Sequence, residues 1–125
     1  MDTIAWLMLV AGVLPFIAAA SSKAGGKGFD NDNPRPWLAL QGGWRGRLNA
    51  AQANLFESLP FFYAAVLFAL YKMADPAMLA TLMTAWVAAR IVYVVLYAAG
   101  YGTLRSLVWV ASLGLNIAIL FSAAT

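Results

Sequence analysis

Along the 125-residue chain, four apolar stretches of bilayer-crossing length alternate with short breaks rich in Gly, Pro, Asn and Asp. A transmembrane helix takes roughly 20 mainly apolar residues, and the pattern predicts spans over residues 3–22, 48–71, 77–99 and 105–124, with one long loop over 23–46. Trp6 stands near the start of the first span as an interfacial anchor. Glycines and the Asn33-Pro34 step break helical order through the loop. Ala74-Asp75-Pro76 turns the chain tightly between spans two and three, with Pro at the next helix's first position. These two spans therefore form an antiparallel hairpin. The fourth span is apolar except for Ser112 and Asn116, and Ala111, Gly114 and Ala118 give it a face that a neighbouring helix can approach closely. The predicted class is all-α, an integral membrane four-helix bundle forming one domain over residues 1–125. A cleaved signal peptide is disfavoured for the first stretch, because Asp2 and no cation precedes it and the basic residues follow it.

Composition sharpens this picture. The chain is 63% hydrophobic and 10% charged, with a mean hydropathy of +0.76, so almost nothing is left for a water-soluble domain. It contains no cysteine and no histidine, which removes disulfides, a thiolate nucleophile and the usual ligands of zinc or haem; no metal site is expected. General-base work would fall to a perturbed carboxylate, a tyrosine or an external cosubstrate. The net charge of +3 invites a nucleic-acid reading, but five of the eight cations (Lys23, Lys27, Arg35, Arg45, Arg47) sit in or beside the long loop. That asymmetry reads as topology. Arg105 follows the third break, whereas Lys72 in the second is offset by Asp75, so the long loop is expected in the cytoplasm and both termini outside. Asp30-Asn-Asp-Asn33 lacks the downstream bidentate Glu of a calcium loop and reads as an Asx-turn cluster.

One polar stripe runs against the apolar trend. In the stretch 45–63, Arg47, Ala50, Ala51, Asn54, Glu57, Ser58 and Phe61 follow helical spacing and share one face. A carboxylate and an amide inside a membrane segment are costly unless they meet partners. Pro60 cannot donate to the carbonyl of Phe56, which leaves that oxygen free one residue before Glu57 and predicts a kink. In span three, Arg90, Tyr93 and Tyr97 share a face, and in the hairpin Arg90 reaches a depth similar to that of Glu57. An intramembrane Glu57–Arg90 ion pair is expected, with Asn54 and Tyr93 completing its hydrogen bonds. Arg47, Gln52, Asn54, Tyr93, Tyr97 and Arg105 still gather near the cytoplasmic leaflet, too many donors for one carboxylate. Their convergence suits an anionic small molecule.

The run Arg47-x4-Gln52-x-Asn54-x2-Glu57-x2-Pro60, the Arg90-x2-Tyr93-x3-Tyr97 face and Arg105-Ser106 resemble the MAPEG family, the membrane-associated proteins in eicosanoid and glutathione metabolism. The Asp30-Asn-Asp-Asn-Pro-Arg35 loop and its Gly-Gly-Trp-Arg-Gly-Arg continuation are similar to the prokaryotic branch. The resemblance implies a homotrimer in a bacterial inner membrane, with glutathione as cosubstrate between subunits near the cytoplasmic side. It implies that Gln52, Asn54, Glu57, Tyr93 and Tyr97, with Arg47 and Arg90 nearby, hold the tripeptide. Arg105 would stabilise the thiolate that attacks a lipophilic electrophile or peroxide. Where glutathione-using members usually carry an Arg one turn before the motif's Asn, this chain has Ala50. Two further readings stand beside the enzyme. One is a family member that is non-enzymatic or takes another ligand. The other is a small four-helix drug/proton antiporter, which is opposed by the strong cation bias and by a carboxylate in the second span instead of the first.

Overall fold

Each long apolar stretch becomes one helix, because in a bilayer only internal hydrogen bonding satisfies the backbone. A computed structural model describes residues 1–124. Its helices are α1 (Asp2–Lys23), α2 (Pro34–Ala39), α3 (Gly43–Tyr71), α4 (Pro76–Ala99) and α5 (Gly102–Leu120), and no strand occurs among the described residues. Four of the five are long and apolar enough to cross a membrane. The protein is thus an all-helical four-helix membrane bundle, with α2 as a short accessory.

The helix ends follow local chemistry. Asp75 caps α4, its carboxylate accepting from the Met78 N–H at 3.0 Å, and Pro76 starts the helix with its fixed φ. At the other end Gly100 adopts φ 88, a left-handed value that suits glycine. The N–H of Tyr101 then donates to Leu96 O at 3.0 Å and that of Gly100 to Tyr97 O at 3.1 Å, a Schellman closure that reverses the chain into α5.

The helices depart from the expected pattern in three places. The long loop is not free of helix: Pro34 nucleates the six-residue α2, because a proline at the first helical position costs no hydrogen bond. The helix of the second span begins at Gly43, ahead of the apolar stretch at 48, and at 29 residues it is about 43 Å long. That exceeds the roughly 30 Å hydrocarbon core, so its basic first turns extend beyond it. The last helix ends at Leu120, where the Ser122 hydroxyl donates to Ile119 O at 2.8 Å. The helix α3 runs continuously through Pro60. The Asx-turn reading is borne out, with Asp30 Oδ1 accepting from the Asp32 N–H at 2.9 Å.

Packing explains the bundle. The Phe62 and Trp86 rings stack at 3.9 Å between centroids, and Leu79, Met83, Val66 and Ile119 bury around them. Near the loop end a smaller cluster of Ala18, Leu48 and Leu55 joins α1 to α3. Tyr63 donates to Met8 O at 2.8 Å, and Gly12 leaves its hydroxyl room. Two arginines on the first turns of α3 tie the same end together. Arg45 Nη1 donates to Ser22 O at 3.0 Å, and Arg47 Nε donates to Ala98 O at 3.1 Å. Both carbonyls lie at helix C-termini, whose negative dipole ends favour a cation. The ends of α1 and α4 and the starts of α3 and α5 thus meet at one end of the bundle.

Candidate functional site

Three helices each contribute a stripe of four residues at the spacing i, i+4, i+7, i+11, which keeps one helix face. They are Ala50, Asn54, Glu57 and Phe61 on α3, Trp86, Arg90, Tyr93 and Tyr97 on α4, and Arg105, Trp109, Ser112 and Asn116 on α5. Because α4 runs antiparallel to the other two, Tyr97 meets the start of α5 while Trp86 meets its far half.

The stripes line two adjoining cavities, both partly open to the surface. The outer cleft, about 420 Å³, is lined by Asn54, Glu57, Tyr93, Tyr97 and Arg105, with Ala50, Ser106 and Trp109 completing its wall. The inner chamber, about 180 Å³, is lined by Arg90, Trp86, Phe61, Ser112 and Asn116 and shares Asn54, Glu57 and Trp109 with the cleft. Those three shared residues form the partition between the two.

Arg105 lies over the Tyr97 ring at 4.2 Å, and Tyr97 meets Tyr93 edge-on at 5.7 Å. The face of a phenol ring attracts a cation, so Tyr97 restrains the Arg105 guanidinium while its N–H donors stay open to the cleft. Arg90 lies 4.4 Å over the Tyr93 ring and is almost fully buried. A cation ladder thus follows the phenols from the inner chamber to the outer rim. A chemical consequence is a cleft with one guanidinium, one carboxylate, one amide and two phenols, able to hold a zwitterionic or anionic molecule.

The expected Glu57–Arg90 ion pair is corrected by this geometry. The Arg90 Nη2 donates to Asn54 Oδ1 at 2.6 Å, and no carboxylate lies within 4.0 Å of Arg90 among the described residues. Asn54 stands one turn nearer the loop than Glu57 and intercepts the guanidinium, while the Glu57 side chain is exposed toward the cavities.

Of the residues singled out from sequence, Asn54, Glu57, Tyr93, Tyr97 and Arg105 come together in the cleft, and Arg90 stands behind its partition. Arg47 lines neither cavity; it is exposed and caps α4 through Ala98. Gln52 also lines neither, since it shares the Leu48 and Leu55 face of α3, and its buried Oε1 has no partner among the described residues. Sequence reasoning misses Trp86 and Trp109 and gives Ser112 and Asn116 no role, yet all four line the cavities. Their register with Arg90 and Arg105 was the signal that linked them.

Fold and cleft together define a small integral membrane protein of four spanning helices with a polar cleft between three of them. A model of the MAPEG family matches residues 3–125, essentially the whole chain, and the protein belongs to that family. No curated protein and no solved structure matches it. Membership places the chain in a family of membrane proteins concerned with glutathione and eicosanoid metabolism.

Proposed function

We propose that the protein is a membrane-bound glutathione-dependent transferase or peroxidase acting on lipophilic electrophiles. The observation that carries this reading is the outer cleft, in which Arg105, held over Tyr97 at 4.2 Å, faces Asn54, Glu57 and Tyr93. At about 420 Å³ its size is that of an ordinary small-molecule site. The donor set fits glutathione, whose ammonium suits Glu57 and whose carboxylates and amides suit Asn54 and the phenols, which leaves Arg105 to the sulfur.

Glutathione, when bound, supplies the thiol that attacks the electrophile, and a chain without cysteine has to borrow one. Arg105 is the residue proposed to favour the thiolate: a cation beside a thiol lowers its pKa from ~8.5 and raises the ionised fraction at neutral pH. Tyr97 holds Arg105 in place. Asn54 and Glu57 orient the peptide. The apolar helix faces admit a lipophilic partner from the bilayer. We further propose a homotrimer in a bacterial inner membrane, with the long loop cytoplasmic and the cleft completed by a neighbouring subunit.

A second reading is favoured by one specific observation. Ala50 lines the cleft where glutathione-using members usually carry Arg, and Arg47, the nearest substitute, is spent on Ala98 O. The cleft is therefore one cation short, which suits a family member with a different, less acidic ligand. Initial rates of conjugation of a chlorinated nitrobenzene with glutathione, by the full chain in detergent, divide the two. Saturable turnover that falls in Arg105→Ala supports the enzyme. No turnover above the uncatalysed rate supports the second reading.

A further inference from the structure

Arg90 is the charged residue sunk deepest in the bundle, 1% exposed, and no carboxylate lies within 4.0 Å of it among the described residues. Its single side-chain bond goes to the neutral amide of Asn54, and its Nε has no partner among the described residues. A guanidinium has five donors, and an amide oxygen neither uses them up nor cancels the charge. An ionisable group inside a membrane segment calls for a compensating partner. The inner chamber adjoins it. Two more residues on that chamber also carry buried polar atoms with no partner among the described residues, Nε1 of Trp86 (1% exposed) and Oδ1 of Asn116 (5% exposed).

The walls specify the rest of the occupant. Phe61, Trp86 and Trp109 are aromatic and Leu113 is aliphatic, so a hydrated inorganic anion is poorly served, whereas a flat ring packs well. A cavity of ~150 Å³ accepts a benzene-sized molecule, and this chamber offers about 180 Å³. We propose that the inner chamber is a binding site for a small aromatic carboxylate, its ring among Phe61, Trp86 and Trp109 and its carboxylate toward Arg90. The carboxylate supplies the acceptors that Arg90 and the Trp86 indole lack and neutralises the guanidinium, while the Asn116 oxygen, itself an acceptor, gains nothing from it. Glu57 on the partition is the one opposing charge on the chamber wall, so its removal strengthens the site. This site adjoins the one proposed for glutathione and shares Asn54, Glu57 and Trp109 with it, and its occupant does not need a thiol.

The test uses the full chain in detergent, without glutathione, titrated calorimetrically with benzoate and with the neutral isostere benzamide. Benzoate should bind saturably, and benzamide at least tenfold more weakly. Glu57→Gln should tighten benzoate severalfold. Trp86→Phe, which keeps a ring and loses the N–H, should weaken it severalfold, and Leu113→Trp, which fills the chamber, should abolish it with the melting temperature retained. The proposal is overturned if neither the parent nor Glu57→Gln binds benzoate saturably, or if benzamide binds equally well. Unchanged benzoate binding in both Trp86→Phe and Leu113→Trp also overturns it, since the probe then sits elsewhere. A failure of glutathione to bind leaves these outcomes untouched.

Discussion

Replacing Asn54 by alanine should destabilise the protein far more than replacing Glu57 by glutamine. Asn54 Oδ1 is the acceptor for the almost fully buried Arg90 guanidinium at 2.6 Å. A hydrogen bond to a charged group contributes ~1.5–3 kcal/mol, and burial leaves little solvent to replace it. Asn54→Ala should therefore cost about 2 kcal/mol or more. Glu57 faces the cavities and is unpaired with Arg90 among the described residues, so Glu57→Gln breaks no bond to Arg90 and should cost less than Asn54→Ala. Arg90→Met removes a desolvated cation together with its bond, and Asn54→Ala in that background has little left to lose. The double variant should then be more stable than the summed single losses imply, by ~1–2 kcal/mol of coupling. The assay is a thermal-stability cycle over Asn54→Ala, Arg90→Met and the double variant, with Glu57→Gln alongside. Additive losses for Asn54 and Arg90, or a Glu57→Gln loss as large as that of Asn54→Ala, would refute the reasoning and restore the Glu57–Arg90 pair.

Arg47→Ala should lower the melting temperature, at a cost of ~1 kcal/mol for the lost bond to Ala98 O, while leaving glutathione affinity within twofold by calorimetry. Arg105→Ala should lower turnover and shift thiolate formation, followed by ultraviolet absorbance, to higher pH with only a modest change in affinity, because the cleft keeps Asn54, Glu57 and two phenols. Ala50→Arg should tighten glutathione by roughly 1–3 kcal/mol, since position 50 lies in the cleft wall and a new guanidinium there gains a charge-assisted contact.

The all-α class and the four spanning helices were legible from hydropathy alone, because backbone satisfaction in a bilayer leaves a long apolar stretch almost no other structure. The Asp75-Pro76 start and the Gly100 stop of α4 were equally legible, since each depends on neighbours in sequence. Partner choice was not. Glu57 and Arg90 are expected at a similar depth in the hairpin, yet Asn54, about one turn nearer the loop on the same face of α3, meets Arg90 instead, an axial offset that spacing cannot resolve. Arg47 looked like a ligand-binding cation, but its role depends on the C-terminus of α4, 51 residues away in sequence. Gln52 belonged to the motif by spacing and to the α1-facing side by geometry. The inner chamber was hidden for a different reason. Tryptophans in a membrane helix read as lipid-facing or core residues, and only the registration of three separate helices gathers Trp86, Trp109 and Asn116 around one space.

The most direct measurement is a calorimetric titration of the detergent-solubilised full chain with glutathione, beside the same titration of Ala50→Arg. The glutathione-dependent reading predicts saturable binding to the parent at millimolar concentration or below, and tighter binding to the variant. Absence of saturable binding in both would contradict it and leave the cleft as the site of another ligand.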